Sequence, residues 1–263
     1  MDIHIAQGHN PPHNIHGITV VIDVIRAFTT SHHAFRKGLR CIWPVANAEQ
    51  AFALRDEHLP EALLAGEVDA LPIPGFDFGN SPWEVDQAEL QGKELILRTT
   101  NGVAATLRAR DSLEVLVAGL VNAEATANYL RKQNPPTVVL VASHPTGDED
   151  VACAEYIRHL LGGDGITYQA ARERTLNAKA AQKFYAGTHP RLRPQDIEAA
   201  ASSEGANALT MHVRFDPQPC ITAQPVTTSP LTSSVNHSVL LINASPSSGL
   251  LQLIEFPLNR TAR

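Results

Sequence analysis

The sequence predicts an α/β protein of three layers, in which a largely parallel or mixed central sheet is flanked by helices and followed by a short C-terminal β extension. Three observations support this prediction. Between residues 18 and 161, short apolar runs alternate with segments of helical composition, which indicates crossover connections. The apolar runs are nearly continuous, as expected for strands buried on both faces. Glycine, asparagine and proline stand between the segments, where turns and caps are needed.

The strands of this sheet are predicted from runs rich in β-branched and other apolar residues. Such residues favour strands, and each run has a length typical of a strand that crosses the core of a domain. The predicted strands are Ile18–Val24, Cys41–Val45, Ala62–Ala65, Glu94–Leu97, Glu114–Ala118 and Thr137–Ala142.

Helices are predicted between these strands and after the last of them. Gly38 is placed to cap the first helix at its C-terminus, Asn47 to cap the second at its N-terminus, and Pro135 to stop a later one. The predicted helices are Thr29–Lys37, Ala48–His58, Gly102–Arg110, Ala123–Lys132, Asp150–Leu161, Tyr168–Tyr185 and Pro194–Ser203.

The C-terminal part of the chain has a different composition. Residues 222–235 are mostly Thr, Ser, Pro and Ala without charge, and they are interpreted as a linker or loop. Val239–Ala244 and Leu250–Phe256 flank a Ser-Pro-Ser-Ser-Gly turn and are predicted to form a hairpin. We therefore expect an α/β domain over residues 1–220, and a linker with a β extension over residues 221–263.

Composition excludes several classes of protein. Among 263 residues the net charge is −6, so no broad basic face for nucleic acid is expected. No apolar run reaches the ~18 residues needed to cross a membrane. The three cysteines are odd in number and far apart, which predicts no disulfide framework and a reducing, cytoplasmic setting. A small anionic substrate is the expected partner, and a homodimer is left open.

The end of the first predicted strand carries candidate catalytic residues. Asp23 is a carboxylate at the end of an apolar strand, and burying it without a partner costs several kcal/mol. The planar fork of Arg26 suits a phosphate, carboxylate or sulfonate. Thr29 and Thr30 offer hydroxyl and backbone N–H groups at a helix start, where anions are favoured. The alternative is an Asp that caps its own turn and an Arg that pairs with it.

Two further loops supply candidate substrate-binding groups. The long irregular connection from Glu67 to Pro82 contains Asp77, Asn80 and Ser81, which offer oxygen and amide groups. The alternative interpretation is a polar turn without a ligand. The second loop joins a strand to a helix with small polar residues, a pattern typical of an anion cradle or of a simple helix cap: Thr99, Thr100, Asn101 and Gly102.

Candidate metal ligands follow two other strands. Three consecutive carboxylates, Asp148, Glu149 and Asp150, repel one another unless a cation or the following helix N-terminus relieves them. Glu67 follows a neighbouring predicted strand. Oxygen ligands of this kind suit Mg²⁺. An acidic first turn of a helix without metal is the alternative.

Taken together, these segments resemble the 2-phosphosulfolactate phosphatase family in residue order and approximate spacing. The most specific part is the Gly-Phe-Asp-Phe-Gly-Asn-Ser-Pro string, with Asp-Val-Ile-Arg-Ala upstream and Thr-Thr-Asn-Gly downstream. The resemblance covers roughly residues 15–220. The matching segments are Val20–Thr30, Gly66–Glu67, Ile73–Pro82, Thr99–Gly102, Asn122–Ala123 and Glu149–Asp150.

The resemblance implies a Mg²⁺-dependent phosphatase with an α/β fold. The family's reaction releases sulfolactate and phosphate from 2-phospho-3-sulfolactate, a step in coenzyme M biosynthesis. The resemblance adds Asn122 to the substrate-binding residues, and it favours Glu149 and Asp150 over Asp148 as metal ligands beside Glu67. Several positions depart from the family pattern. Val68 stands where Arg is usual, Arg98 and Val103 stand where Thr is usual, and Ala142-Ser143-His144 stands where Cys-Ala-Gly is usual.

The leading hypothesis is therefore a Mg²⁺-dependent phosphomonoesterase in which Asp23 and Arg26 are catalytic. The sequence leaves open whether Asp23 or a metal-bound water attacks phosphorus. Two other classes of protein remain as alternatives. One is a Mg²⁺-dependent lyase or aldolase that acts on a small carboxylated substrate, and the other is a non-catalytic protein that binds anions.

Overall fold

The computed structural model describes residues 1–12 and 16–225, which form one mixed sheet covered by helices. The predicted α/β class with three layers is confirmed. In chain order, strands β1 to β10 are Asp2–Gln7, Ile18–Ile22, Cys41–Pro44, Leu63–Val68, Leu71–Pro72, Glu94–Arg98, Glu114–Ala118, Thr137–Ala142, Leu209–Arg214 and Cys220–Pro225. Helices α1 to α9 are Ala27–Arg36, Ala48–His58, Pro82–Asp86, Gly102–Arg108, Ala123–Gln133, Asp148–Leu160, Tyr168–Asn177, Lys179–Tyr185 and Pro194–Ala200.

The strand order of the described sheet is β1-β8-β2-β7-β9-β10-β3-β6-β4-β5. Two sets of parallel strands lie within it, β1-β8-β2-β7 and β3-β6-β4. The antiparallel pair β9–β10 joins them, because β9 pairs with β7 and β10 pairs with β3. The sheet is thus mixed, and its two parallel sets are linked by the last two strands of the described chain.

Alternate residues of the inner strands enter different cores. Val21 of β2 packs in a core that includes Phe28 of α1 and Val103 of α4. Val20 and Ile22 face the opposite side, where helices α5 and α6 cover the sheet. The nearly continuous apolar runs of the sequence follow from this burial on both faces.

The sheet is bent, and the bend brings distant strands together at the site. In sheet order β7, β9, β10 and β3 lie between β2 and β6, a separation of about 24 Å in a flat sheet. Yet the Asp23 Oδ2, just beyond β2, accepts a hydrogen bond of 2.9 Å from the Gly102 N–H, just beyond β6. The carboxyl ends of both parallel sets therefore meet around α1 and α4.

The described chain differs from its prediction in several places. Strands β1, β5 and β9 and helix α3 were not predicted. The segment Tyr168–Tyr185, predicted as one helix, is two helices, because Ala178 between them is extended with φ −57° and ψ 146°. Residues 221–225, predicted to belong to the linker, are part of β10 and pair with β9. The rest of the predicted linker and the predicted hairpin lie outside the described residues.

Cysteine placement also differs from expectation. The structure joins Cys41 of β3 to Cys220 of β10 as a disulfide, with Cα atoms 6.5 Å apart. The prediction of no disulfide framework did not anticipate this pair, because the fold places residues 179 positions apart on neighbouring strands. Cys153 is free and buried in α6. Of the helices over residues 1–12 and 16–225, none is long and apolar enough to cross a membrane.

Candidate active site

A polar cleft of about 180 Å³ opens at the carboxyl edge of the sheet. One wall comes from the ends of β2, β4, β6 and β8, and the other from α8 and nearby turns. The sheet wall carries the polar groups, and the wall of α8 is partly apolar. The residues that line this cleft are Asp23, Ile25, Arg26, Glu67, Asp69, Ala70, Asn80, Thr100, Asn101, His144, Ala180, Lys183 and Phe184.

Asp23 is fixed at the base of the cleft by backbone donors. Its Oδ1 accepts a hydrogen bond from the Ala27 N–H at 3.0 Å, and its Oδ2 accepts one from Gly102. Burial raises the pKa of Asp23 to about 6. The negative charges of Glu67 and Glu149 also raise this pKa, whereas the two backbone hydrogen bonds lower it. A Cβ at position 102 would lie 2.6 Å from the Asp23 Oδ2, so glycine is needed there.

Glu67 lies on the same wall of the cleft as Asp23 and is held in the same way. Its Oε1 accepts hydrogen bonds from the Thr100 N–H at 3.0 Å and the Thr100 hydroxyl at 2.9 Å. Its Oε2 accepts one from the Ala70 N–H at 2.8 Å. Ala70 has φ 70° within the tight turn between β4 and β5, a left-handed conformation that these contacts help to hold.

The backbone N–H groups of the predicted anion-binding loop donate hydrogen bonds to side chains of the protein itself. The N–H groups of Thr100 and Gly102 donate to Glu67 and Asp23, and the N–H of Val103 donates to the Thr99 hydroxyl at 3.2 Å. The small polar residues are therefore in place as expected. Their backbone donors position carboxylates, and Thr100 and Asn101 alone of this loop line the cleft.

The acidic turn that opens α6 lies behind Asp23. Both oxygens of Asp150 are engaged, Oδ1 by the Val24 N–H at 2.8 Å and Oδ2 by the His144 N–H at 3.0 Å. Burial, with the charges of Asp23 and Glu149, raises the pKa of Asp150 well above its usual value. Burial also raises the pKa of Glu149, whose Oε2 is buried with no hydrogen-bond partner. Asp148 points away and pairs with Arg174.

Arg26 is held inside the protein rather than left free for an anion. Its Nη1 donates to the Asp196 Oδ2 at 2.8 Å, and its Nη2 donates to the Ala70 carbonyl oxygen at 2.9 Å. Its guanidinium carbon lies 4.6 Å from the ring centre of Phe184. Asp196 of α9 is fully buried and neutralises the Arg26 charge.

The loop before α3 contributes one residue to the cleft and one to its support. Asn80 is buried, lines the cleft, and has a side-chain Oδ1 with no hydrogen-bond partner. Ser81 instead donates from its hydroxyl to the Asp196 Oδ1 at 2.6 Å and caps α3 by accepting from the Glu84 N–H. Ser81 thus supports Arg26 through Asp196.

Other predicted substrate-binding residues bond elsewhere. The Thr29 hydroxyl donates to the Val24 carbonyl, and the buried Thr30 hydroxyl has no partner. The exposed Asp77 accepts from the Leu64 N–H at 2.8 Å and fixes its loop to β4. Asn122 bridges the Gly119 N–H and the Leu209 carbonyl oxygen. These four residues and Thr99 do not line the cleft.

The cleft can be compared with known proteins now that its geometry is defined. A family model described as 2-phosphosulpholactate phosphatase matches residues 3–222. This chain belongs to the 2-phosphosulfolactate phosphatase family. A protein of Bacillus subtilis (strain 168) named "Probable 2-phosphosulfolactate phosphatase" is 42% identical over 219 residues, which cover 82% of this chain and 95% of the relative.

Further relatives carry the same name. A protein of Gloeothece citriformis is 33% identical over 192 residues, with 68% of this chain and 80% of the relative covered. One from Carboxydothermus hydrogenoformans is 43% identical over 149 residues, with 54% and 59% covered. Both are named "Probable 2-phosphosulfolactate phosphatase", so the family assignment predicted from the motifs is confirmed.

The donors of the cleft can be compared with the Mg²⁺ that was expected from the sequence. In residues 1–12 and 16–225, no three His, Cys, Asp or Glu side chains converge as a ready metal cage. Mg²⁺ commonly takes one or two carboxylates and completes its shell with water and phosphate oxygens. Asp23 and Glu67 face the cleft, and Glu149 adds a buried oxygen without a donor. This set contains only oxygen, as Mg²⁺ prefers.

Several residues of this 2-phosphosulfolactate phosphatase cleft were missed from the sequence. Asp69, Lys183 and Phe184 line it, and Asp196 holds Arg26. Lys183 and Phe184 lie on a helix whose sequence carries no motif, so only the fold reveals them. His144 is the second residue after β8, and its position near a strand end is the signal that could have found it.

Proposed function

We propose that this protein is a Mg²⁺-dependent phosphatase that hydrolyses 2-phospho-3-sulfolactate to sulfolactate and phosphate. The observation that carries the proposal is the pair of carboxylates, Asp23 and Glu67, fixed by backbone donors on the sheet wall of a polar cleft. Family membership supports the same reaction, since the named relatives are probable phosphatases of this substrate.

In the proposed reaction, a water oxygen bonds to phosphorus and the bond from phosphorus to the substrate's ester oxygen breaks. That oxygen leaves with a proton as the hydroxyl of sulfolactate. Asp23 is mostly ionised above pH 6, given its pKa of about 6, and its fixed position suits either attack on phosphorus or orientation of the water. Trapping an aspartyl-phosphate separates these two roles.

The charges of the cleft favour a divalent cation in this proposal. The acidic side chains Asp23, Glu67 and Asp69 outnumber the cation Lys183 along the cleft, and the charge of Arg26 is already neutralised by Asp196. An anionic phosphate would be repelled by this surface without a cation. Asp23 and Glu67 would hold Mg²⁺, with the buried carboxyl of Glu149 behind them, and the ion would neutralise phosphate charge.

The proposal is tested by incubating the purified full chain with 2-phospho-3-sulfolactate, with Mg²⁺ or with EDTA, and by measuring phosphate and sulfolactate. We expect equal amounts of both products with Mg²⁺ and none with EDTA. Glu67→Gln should lower kcat/KM by about 100-fold because it weakens charge complementarity at the reacting group. Glu61→Gln, in the exposed segment before β4, is the matched control and should not change it.

Other outcomes would overturn the proposal in distinguishable ways. Consumption of substrate without phosphate release indicates a lyase or aldolase that uses the same carboxylates. Binding of the substrate without turnover at any Mg²⁺ concentration indicates a protein that only binds anions. Full activity in EDTA contradicts the metal requirement alone.

A further inference from the structure

Two histidines of the described chain make the same local hydrogen bond in different places. His144 follows β8, and its Nδ1 accepts a hydrogen bond from the Thr146 N–H at 3.1 Å. His189 follows α8, and its Nδ1 accepts one from the Arg191 N–H at 3.1 Å. His144 lines the cleft, whereas His189 does not. The pair therefore allows a role in the cleft to be separated from a role in the turn.

The hydrogen bond from Thr146 fixes the position of the proton on the His144 ring. A ring nitrogen that accepts a hydrogen bond carries no proton, so the proton of this ring is on Nε2. Among residues 1–12 and 16–225, no group forms a hydrogen bond with that Nε2. His144 thus brings to the cleft an N–H donor that the described part of the protein does not use.

The turn that carries His144 holds the ring in place. The His144 N–H donates to the Asp150 Oδ2 at 3.0 Å, and the His144 carbonyl oxygen accepts from the Gly147 N–H at 3.2 Å. A Cβ at position 147 would lie 2.7 Å from the His144 Cβ, so glycine allows the turn to close against this side chain. The donor is therefore positioned before a ligand binds, which reduces the entropy lost on binding.

His144 also lies beside the strand end that carries Asp23. β2 and β8 are neighbouring parallel strands, and their last residues pair with each other, so the segments that follow leave the sheet side by side. Asp150 bridges these segments, because it accepts from the Val24 N–H and from the His144 N–H. In the proposed function the phosphoryl group of the substrate reacts at Asp23.

We infer that His144 is a catalytic residue that donates its Nε2–H to an oxygen of the phosphoryl group. This inference rests on the proposed function, because that function brings the phosphoryl group to Asp23. A neutral imidazole keeps this proton, so the ring stabilises the charge on the phosphoryl oxygens and does not protonate the leaving group. Because the N–H groups of Thr100 and Gly102 are used by carboxylates of the protein, His144 supplies a donor that their loop does not.

The first test measures binding of inorganic phosphate to the full chain, in the presence of Mg²⁺, by calorimetry. His144→Asn keeps an oxygen that can accept from the Thr146 N–H but has no donor at the position of Nε2. It should weaken phosphate binding by ~10-fold or more. His144→Gln has an amide N–H that reaches the position of Nε2 and should stay within ~3-fold of the wild type. Thermal unfolding checks that both variants are folded.

His189→Asn is the matched control, since it makes the same exchange at the same kind of turn outside the cleft. It should leave phosphate affinity unchanged. Steady-state kinetics provide a second measurement, in which His144→Asn should lower kcat/KM by ~10-fold or more. The loss should be the same for 2-phospho-3-sulfolactate and for isopropyl phosphate, because the phosphoryl group is the part that these esters share.

Each result decides the inference. It is overturned if the wild type binds no phosphate, if His144→Asn binds phosphate like the wild type, or if His144→Gln loses as much affinity as His144→Asn. An equal loss in His189→Asn also overturns it, since the effect then belongs to the turn. If the wild type binds phosphate but hydrolyses no phosphomonoester, the proposed function fails, and calorimetry still decides whether His144 binds the phosphoryl group. If the wild type is active and His144→Asn matches it for both esters, the inference alone fails.

Discussion

Contact between Gly102 and Asp23 sets the position of the Asp23 carboxylate, which is catalytic in the proposed function. The Gly102 N–H donates a hydrogen bond to Asp23. Because glycine has no Cβ, the Asp23 carboxylate can approach this N–H closely. Gly102→Ala would place a methyl group 2.6 Å from the Asp23 Oδ2, well inside van der Waals contact.

We therefore predict that Gly102→Ala lowers kcat by ~10-fold or more, because displacement of a catalytic group by a fraction of an ångström is costly. Steady-state kinetics and thermal unfolding measure the two effects. Ala104→Gly, two residues later in α4, is the control for a change of backbone flexibility in this helix, and it should keep kcat. Unchanged kcat in Gly102→Ala would show that Asp23 can shift without loss.

A second residue-scale prediction concerns a histidine far from the cleft. His32 of α1 is fully buried, and its Nε2 accepts a hydrogen bond from the Leu209 N–H at 3.1 Å. Burial lowers the pKa of His32 to about 3, and the charges of His33 and Arg36 add to the effect. Between pH 4 and 6 the unfolded chain therefore binds a proton here that the folded chain does not.

The sign follows from this difference in bound protons. As pH falls from the ordinary histidine value toward 3, His32 lowers the free energy of unfolding by about 1.4 kcal/mol per pH unit. His32→Gln keeps an acceptor for Leu209 and should remove this slope relative to the wild type, measured by urea unfolding between pH 4 and 6. His58→Gln, at the exposed end of α2, should keep the wild-type profile. Equal slopes in all three proteins would show that His32 is protonated when folded.

At the scale of elements, α9 is tied to two loops through one carboxylate. Asp196 accepts from Arg26 and from the Ser81 hydroxyl, and its Oδ1 also accepts from the Trp83 N–H at 3.2 Å. The start of α1, the start of α3 and α9 therefore share a single buried ion pair. This arrangement explains how a helix with no catalytic motif supports the cleft.

We predict that Asp196→Asn lowers the free energy of unfolding by about 3–5 kcal/mol, because the buried charge of Arg26 is left unpaired. Urea unfolding measures this loss. Glu198→Gln is the control, since Glu198 lies on the same helix and makes only an exposed pair with Arg172 at 3.4 Å. It should change stability by less than about 1 kcal/mol. Similar losses in both variants would contradict the special role of the buried pair.

At the scale of the whole molecule, binding of Mg²⁺ should stabilise the fold by mass action. A ligand at 100 times its Kd adds about 2.7 kcal/mol, which scanning calorimetry detects as a higher Tm. Glu67→Gln and Glu149→Gln should each reduce this shift. Asp148→Asn, the neighbouring control whose carboxylate pairs with Arg174, should reduce it much less. A shift that is equal in all variants would place the ion elsewhere.

The sequence predicts the inner parallel strands well, for a local reason. Strands such as Ile18–Ile22 are buried on both faces, so their continuous apolar runs identify them without knowledge of their partners. β10 contains Thr, Ala, Gln and Pro and resembles a linker, and only its pairing with β9 and β3 makes it a strand. The break at Ala178 likewise depends on packing between α7, α8 and α9.

The candidate site divides in the same way. Asp23, Glu67, Asn80, Thr100 and Asn101 were predicted because strand ends and polar loops mark the edge of a sheet, and they do line the cleft. The sequence could not tell which polar groups bond to substrate and which to the protein. Partners fixed by tertiary contact decide that question, as they do for Arg26, Ser81 and Asn122.

The position of β9–β10 in the chain has a consequence for synthesis on the ribosome. Asp23 and Glu67 emerge early, but the hairpin that joins their two sets of parallel strands is made after residue 208. Until then β7 and β3 each present an open hydrogen-bonding edge, and such edges recruit other chains. A nascent or truncated chain that ends before β9 should therefore be inactive and prone to aggregate. Premature termination should thus produce an aggregating protein rather than an enzyme of reduced activity.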